Sequence, residues 1–449
     1  MLRETSKEIG GWGNYPLVES LVVQPRNNRE LSESLAAPLI ARGLGRSYGD
    51  QAVNGHKRVA VCTHLDHFLS FEEHTGVLEC EAGVSLEEII TVFAPRGWLP
   101  MICPGTKWVT VGGAIANDIH GKAHHIDGSF VNCLVSFTIL LADNSLVTAS
   151  RTHNPDLFWG SVGGLGLLGI ITTACIRLRK VETTYFRQKA VKVNSLDEML
   201  EAVEKYDKDF NYSVAWIDAL AKGNKLGSGV LSLGNAAKIQ DLPPSLRPEP
   251  LKIHRRKNLL SVPLFLPDFT LNNFTVRILN SVIGFVQNSS KEIVHYEKFF
   301  FPLDAIGNWN RGYGKRGFIQ YQFVIPETGG RATLKTILEM ISQSGCTPFL
   351  NVFKKMGTGQ GILSFPFKGY TLAIDFPVTR RLAPFTAELD KVVLAAGGRL
   401  YLGKDAMMNR EGFQAMYPQY KEWLKIKAKY DPQNRFTSNI SRRLGLETV

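Results

Sequence analysis

The sequence predicts an α+β protein of two domains, and three observations lead there. Its 449 residues exceed what one ordinary hydrophobic core covers. Residues 35 to about 180 alternate short strands, tight turns and a few helices, while from about 184 long strands of strict two-residue alternation take over. Past 399 the pattern becomes helical. The boundaries read as 1–183, 184–398 and 399–449, with the second domain built on an antiparallel sheet.

The elements follow in order. "GVLECEAGVSLEEIITVFAPRGW" reads strand, turn, helix: Ser85 and Glu88 form a capping box and Gly97 stops the helix. "LVSFTILLADNSLVTAS" reads as a hairpin turning at Asp143-Asn144. Asn154-Pro155 opens a helix, and "GIITTACIRLR" returns as a strand. In "GFIQYQFVIP", Ile319, Tyr321, Phe323 and Ile325 share one face, and Gln320 and Gln322 share the other with Phe318 and Val324. Two amides on one sheet face suit a pocket wall, and a solvated face accounts for them nearly as well. "REGFQAMYPQYKEWLKIKAKYDPQNRF" is the helical tail.

A net charge of +11 favours an anionic partner, although a merely basic surface would give the same total. The basic residues are not interleaved with aromatics on a repeated element, so a nucleic-acid partner is not expected. Six cysteines form no C-x-x-C pair and read as reduced, buried hydrophobes. The N-terminal stretch has no apolar signal core, and no run of about 18 apolar residues spans a bilayer. The expected location is the cytoplasm.

Three glycine-rich stretches carry the chemistry. "ARGLGRSYGDQ" gives G-x-G-x-x-x-G with no helix after it. "VGGLGLLGII" holds G-x-G-x-x-G at Gly164, Gly166 and Gly169, but it follows a helix and enters a strand, the reverse of the Rossmann context. "TVGGAIANDIHGKAHH" allows two functional readings. Asp118, His120, His124 and His125 are potential metal ligands, although no helical H-x-x-x-H scaffold supports them. Alternatively the glycines let a backbone approach a bulky ligand, cradling phosphates with tight-turn N–H groups rather than a helix N-terminus. A glycine turn carrying surface histidines is the plain structural alternative.

"GLGRSYGD", "PGT…TVGGAIANDIHGKAHH", "FWGSVGGLGLLGII" and the terminal "DPQNRF" together resemble the FAD-binding oxidoreductases of the vanillyl-alcohol oxidase (PCMH-type) superfamily. Within it, "FPLDAIGNWNRGYG", "FLNVFK" and "LYLGKD" are similar to the oxidase subunits of decaprenylphosphoryl-β-D-ribose 2-epimerases. The resemblance covers nearly the whole chain. It implies an FAD-binding domain to which 399–449 returns, a cap domain for substrate, and no metal.

FAD would be held by Gly43, Gly45, Arg46, Ser47, Tyr48, Gly49 and Asp50 of the first loop. Gly105, Thr110, Val111, Gly112, Gly113, Asn117, Asp118, Ile119 and His120 would continue the cradle, with Ile171 and Tyr401 completing it. Many relatives attach FAD through a first-loop histidine; Tyr48 lies in that loop here, so binding is expected to be non-covalent.

The resemblance further implies Lys404 and Gln322 as catalytic residues, with Lys122, Trp216, Arg311, Gln320, Lys354, Thr371 and Ala373 lining the substrate pocket. The implied reaction oxidises the 2-hydroxyl of a polyprenylphosphoryl-β-D-ribose, a precursor of cell-wall arabinan. An NAD(P)H-dependent short-chain reductase would complete the epimerisation. "KIHRRK" and the interrupted apolar run after it would then rest peripherally on the inner membrane. Ala373 stands where mycobacterial members have cysteine, Thr371 replaces their asparagine and Phe300 their tyrosine. A soluble aldonolactone or alditol is the alternative substrate.

Overall fold

The computed structural model describes residues 2–254, 260–278 and 292–448. The expected basic run at Arg255, Arg256 and Lys257, and the apolar residues from 279 to 286, lie outside the described residues.

Three large sheets organise the described residues, beside a two-stranded parallel pair of Leu260–Ser261 with Ile306–Gly307. A four-stranded mixed sheet runs in the order Thr5–Ile9, Val18–Val23, Arg58–Val61, Leu39–Arg42. Its last two pairings are parallel, with the Arg58–Val61 strand in the middle. A second, antiparallel sheet runs Phe68–Glu72, Val77–Glu81, Ile170–Lys180, Leu134–Leu140, Leu146–Ser150, and Trp98–Pro100 joins its long strand. The anticipated hairpin, the Ser85–Glu88 capping box and the left-handed Gly97 (φ 81°) are all present. The two strands before residue 35 were not expected: Leu17 and Leu21 are exposed, which blurs their alternation.

The third sheet has eight strands, ordered Ile293–His295, Tyr185–Val193, Gly229–Ala236, Tyr212–Ile217, Asn351–Met356, Gly369–Pro377, Phe318–Pro326, Arg399–Leu400. Helices Leu196–Tyr206, Gly330–Gln343 and Leu382–Ala395 cover one face. The strand pattern of this region gave no sign of that layer, although Ser195 caps the first helix by accepting from Glu198 N. Tyr321, Phe323 and Ile325 pack under the helices, and Tyr321 donates to Asp390 at 2.8 Å. The alternation therefore turns Gln320 and Gln322 to the opposite face, toward the first two sheets.

The C-terminal helices Arg410–Met416, Tyr420–Tyr430 and Asn439–Leu444 pack back on the first half of the chain. Lys427, fully buried, donates to Leu167 O at 2.6 Å and Phe436 O at 2.7 Å, and pairs with Asp431 at 2.5 Å. Three acceptors compensate the desolvation of that ammonium.

Candidate active site

A cavity of about 600 Å³ lies between the three glycine stretches and the open face of the eight-stranded sheet. Gly43 and Gly45, Gly105 with Gly112 and Gly113, and Gly166 with Gly169 all reach its wall, so segments distant in sequence converge there. Gly105 would carry a Cβ into open space, and a Cβ on Gly113 would meet only Thr110 Oγ1, at 3.1 Å. Glycine at these two positions leaves room for a ligand rather than for protein.

The second stretch differs locally from expectation. Val111–Ala116 is a six-residue helix capped by Thr110. Its first N–H groups are nevertheless taken: Val111 donates to Val84 O, Gly112 to Ala82 O, both at 2.8 Å, and Gly113 to Thr110 Oγ1 at 3.2 Å. Phosphate donors must come from the first loop. Among the described residues, the backbone N–H groups of Gly43 to Ser47 have no protein acceptor. Arg42 lies beneath them, donating to Ala52 O at 2.9 Å and Gly10 O at 2.7 Å, and Arg46 stacks 4.0 Å over the Trp12 ring. An N–H array with two guanidinium groups matches a pyrophosphate.

The polar floor is built by sheet register. Gln322 pairs across from Ala373, which pairs with Val352, so these side chains share one face; Gln320 pairs with Asp375, and Lys354 with Thr371. Gln322 Nε2 donates to His120 Nε2 and to Thr371 Oγ1, each at 3.1 Å. His120 therefore carries its proton on Nδ1, a buried donor with no protein acceptor. Burial holds the His120 imidazolium pKa well below its ordinary value, with Lys354, His124 and Lys404 adding to the effect, so the ring stays neutral. Asn117 Oδ1 is also buried and unpartnered, while Tyr401 donates to Asn117 O at 2.8 Å.

Lys404 and Lys354 face this cavity. Desolvation pulls Lys404 down to about 8 against the opposing pull of Asp375. It pulls Lys354 to about 7, and there Lys404 and Lys122 add to the depression. Lys404 Nζ lies 4.6 Å from the Tyr48 ring centroid. Burial drives the Tyr48 phenol well above its ordinary range, so it stays protonated.

Of the residues expected around a cofactor, Gly43, Gly45, Arg46, Ser47, Tyr48, Gly105, Thr110, Gly112, Gly113, Asn117, Ile119, His120, Ile171 and Tyr401 line the cavity. Of those expected around a substrate or in catalysis, Gln320, Gln322, Lys354, Ala373 and Lys404 line it as well.

The others stand behind the wall, each for a physical reason. Gly49 backs onto Asp405 O, and Asp50 is bound by Arg443 at 2.7 Å. Val111 is core. Asp118 spends its oxygens on Ser129, Ser364 and the Val131 N–H. Lys122 donates to Phe299 O, Arg311 to Pro263 O at 2.7 Å, and Thr371 is fully buried. Trp216 pairs beside Val352, one strand beyond the lining. Nor do the potential metal ligands converge: His124 Nδ1 accepts from Gly357 N at 3.0 Å and His125 contacts Phe210 O at 3.1 Å.

Sequence reasoning missed Trp12, Arg42, Asp304, Trp309 and Asp375. Asp375 had a signal, because it continues the pocket-facing alternation of Thr371 and Ala373. The 303–309 wall lies in the quoted "FPLDAIGNWNRGYG" stretch, but its short 3-10 turns and two-residue strand have no periodicity to show which side chains face the cavity.

Comparison with known proteins identifies the family and its cofactor. Residues 20–150 match the model of an FAD binding domain, and 315–444 that of D-arabinono-1,4-lactone oxidase. The decaprenylphosphoryl-β-D-ribose oxidase of Mycolicibacterium smegmatis is 40% identical over 98% of both chains. This chain belongs to that family of FAD-dependent oxidases. More distantly, it is similar to a carbohydrate oxidase of Microdochium nivale, 32% identical over 32% of this chain and 29% of that one. D-arabinono-1,4-lactone oxidase of Yarrowia lipolytica is 28% identical over 39% and 35% respectively. The family fold is the two-domain α+β FAD-binding type, and the protein is an FAD-dependent oxidoreductase. The free N–H array, the room at Gly105 and Gly113 and the orphaned His120 and Asn117 atoms fit that cofactor.

Proposed function

We propose that the protein oxidises the 2-hydroxyl of a polyprenylphosphoryl-β-D-ribose to the 2-keto sugar, the first half of epimerisation to the arabinose form. FAD, when bound, supplies the hydride acceptor. The observation that carries the substrate class is the junction of a polar floor with an apolar rim. Lys404, Gln322, Gln320 and Lys354 share a cavity with Ser261 and Ile306–Trp309. The segment following Ser261 exposes Leu264 (75%), Phe269 (77%) and Phe274 (72%). A sugar phosphate suits the floor, and a prenyl chain suits the rim.

Each residue has a task. Lys404, enclosed and drawn toward neutrality, accepts the hydroxyl proton. Because both amide hydrogens of Gln322 go to His120 and Thr371, its carbonyl is the atom left for a sugar hydroxyl. Lys354, whose charged neighbours are cations, meets the phosphate. Tyr48 and a histidine engaged by Gln322 leave no first-loop tether, which supports non-covalent FAD. Residues 1–183 with 399–449 would form the flavin domain and 184–398 the cap.

No helix among the described residues is long and apolar enough to cross a membrane. We place the protein in the cytoplasm, its 260–278 rim against the inner membrane, handing the keto sugar to an NAD(P)H-dependent short-chain reductase. The match of 315–444 to the lactone oxidase model favours a second reading, a soluble aldonolactone.

Anaerobic addition of a short-prenyl phosphoryl-β-D-ribose should bleach the oxidised flavin band. A band that ignores this compound but bleaches with an aldonolactone selects the second reading. A protein that takes up no FAD refutes both.

A further inference from the structure

Beneath the two pocket glutamines lies a carboxylate that the reaction as proposed does not use. Asp375 is fully buried in the strand Gly369–Pro377, directly across from Gln320. Its Oδ1 accepts from Gln320 Nε2 at 2.6 Å, and its Oδ2 accepts from the Tyr313 hydroxyl at 2.8 Å. A buried carboxylate on a pocket-facing position needs partners, and this one has two neutral donors and one cationic neighbour, Lys404.

The Gln320 amide is thereby fixed in one sense. With Nε2 turned to Asp375, Oε1 is left as the acceptor of this amide, and it is buried without a protein donor. A bare carbonyl in a wall shared with Lys404 and Lys354 is complementary to a hydroxyl. We propose that Asp375 is a positioning residue of the site: it holds Gln320 with its carbonyl toward a substrate hydroxyl and sets a buried negative charge against Lys404. The inference rests on the proposed oxidation of a sugar hydroxyl and assigns this carboxylate two separable effects, one through a hydrogen bond and one through charge.

The surroundings support the charge effect. Lys404 and Asp375 are opposed charges in an enclosed site, and the other titratable neighbours are Tyr48 from the glycine loop, Tyr313 from the 309–313 turn, Lys354 from the adjacent strand and His120. Burial keeps both phenols protonated and His120 neutral. Among the described residues, Asp375 is thus the neighbour whose negative charge favours the Lys404 ammonium, and desolvation opposes it.

Asp375→Asn separates the two effects, because an asparagine oxygen still accepts from Gln320 but carries no charge. The readout is the rate of anaerobic flavin reduction by short-prenyl phosphoryl-β-D-ribose against pH, with FAD content measured by absorbance. In the wild type the rate rises as Lys404 loses its proton. In Asp375→Asn that rise should move to lower pH by about one unit or more, the usual effect of removing an opposite charge that acts on a buried ammonium. Gln320→Ala should weaken substrate binding about tenfold, the order of one lost hydrogen bond, and, because it removes a donor from the carboxylate, move the rise the same way by less than Asp375→Asn does.

Should Asp375→Asn fail to accumulate, Tyr313→Phe substitutes. It removes a donor that stabilises the carboxylate, so part of the charge is lost and the rise moves the same way by less. A rise that stays put in an FAD-loaded Asp375→Asn overturns the charge effect, and unaltered binding in Gln320→Ala overturns the positioning. If wild-type flavin is not reduced at all, the substrate reading has failed instead.

Discussion

Replacing Arg443 by methionine should unlock the loop that presents Lys404. Arg443 sits on the C-terminal helix Asn439–Leu444 and binds two carboxylates at once. It reaches Asp50 through Nη2 at 2.7 Å and Nε at 3.0 Å, and Asp405 through Nη1 at 2.8 Å. The same Nη1 donates to Met408 O at 2.6 Å. Both carboxylate side chains are 5% exposed and the Arg443 side chain 22%. Removing one member of a buried ionic group costs about 3–5 kcal/mol, and the partial exposure of Arg443 places this case near 3.

With an m-value of about 3 kcal/mol per molar urea for a chain this large, the midpoint should fall by about 1 M. Circular dichroism of the FAD-loaded protein measures it. The pH dependence is diagnostic. Burial already raises the Asp50 pKa, and Arg443 opposes that rise. Without the guanidinium the native state binds a proton that the unfolded state lacks at the same pH. The variant should then regain stability as pH falls from 8 to 6. A deficit below about 1 kcal/mol, equal at both pH values, would refute the reasoning.

Three further outcomes are expected. Gly113→Val should fold yet lose FAD, because its Cβ meets only Thr110 Oγ1 and its methyl groups enter the cavity; a fully yellow variant would contradict the cradle. Lys404→Ala should keep FAD but slow its reduction at least about a hundredfold, as loss of a general base does, and stopped-flow absorbance decides this. Ala373→Cys should become labelled by a thiol-directed reagent at the pocket, while the wild type stays unlabelled there. The native Cys62 at the cavity edge is pushed up to about 12 by burial and donates to Ala60 O at 3.3 Å, so it should not react.

What the sequence made legible follows from how local each constraint is. The Ser85–Glu88 box, the Asn154-Pro155 helix start and the two-residue alternation of Phe318–Pro326 are short-range rules that tertiary packing left intact. The glycine loops were legible because a backbone that must approach a ligand excludes every larger residue. Asp50 and Asp118 misled for the complementary reason. An acid between pocket glycines reads as a ligand contact, but Arg443 lies 393 residues from Asp50 and Ser364 lies 246 from Asp118. No local pattern announces such partners.

The same distance argument explains why Asp375 escaped notice while Gln322 did not. Gln322 sits beside a second glutamine in an otherwise apolar strand, a visible anomaly, whereas Asp375 is one acid near a strand end, where acids are common. Its meaning comes from register: pairing of Phe318–Pro326 with Gly369–Pro377 puts it opposite Gln320, and a one-residue slip would turn it to the helix-covered face. A wall assembled by register specifies which polar atoms meet, and the glycine loops specify what can approach them. The cavity's selectivity should therefore be altered more readily by the side chains at 371, 373 and 375 than by changes in the loops, whose geometry the flavin itself requires.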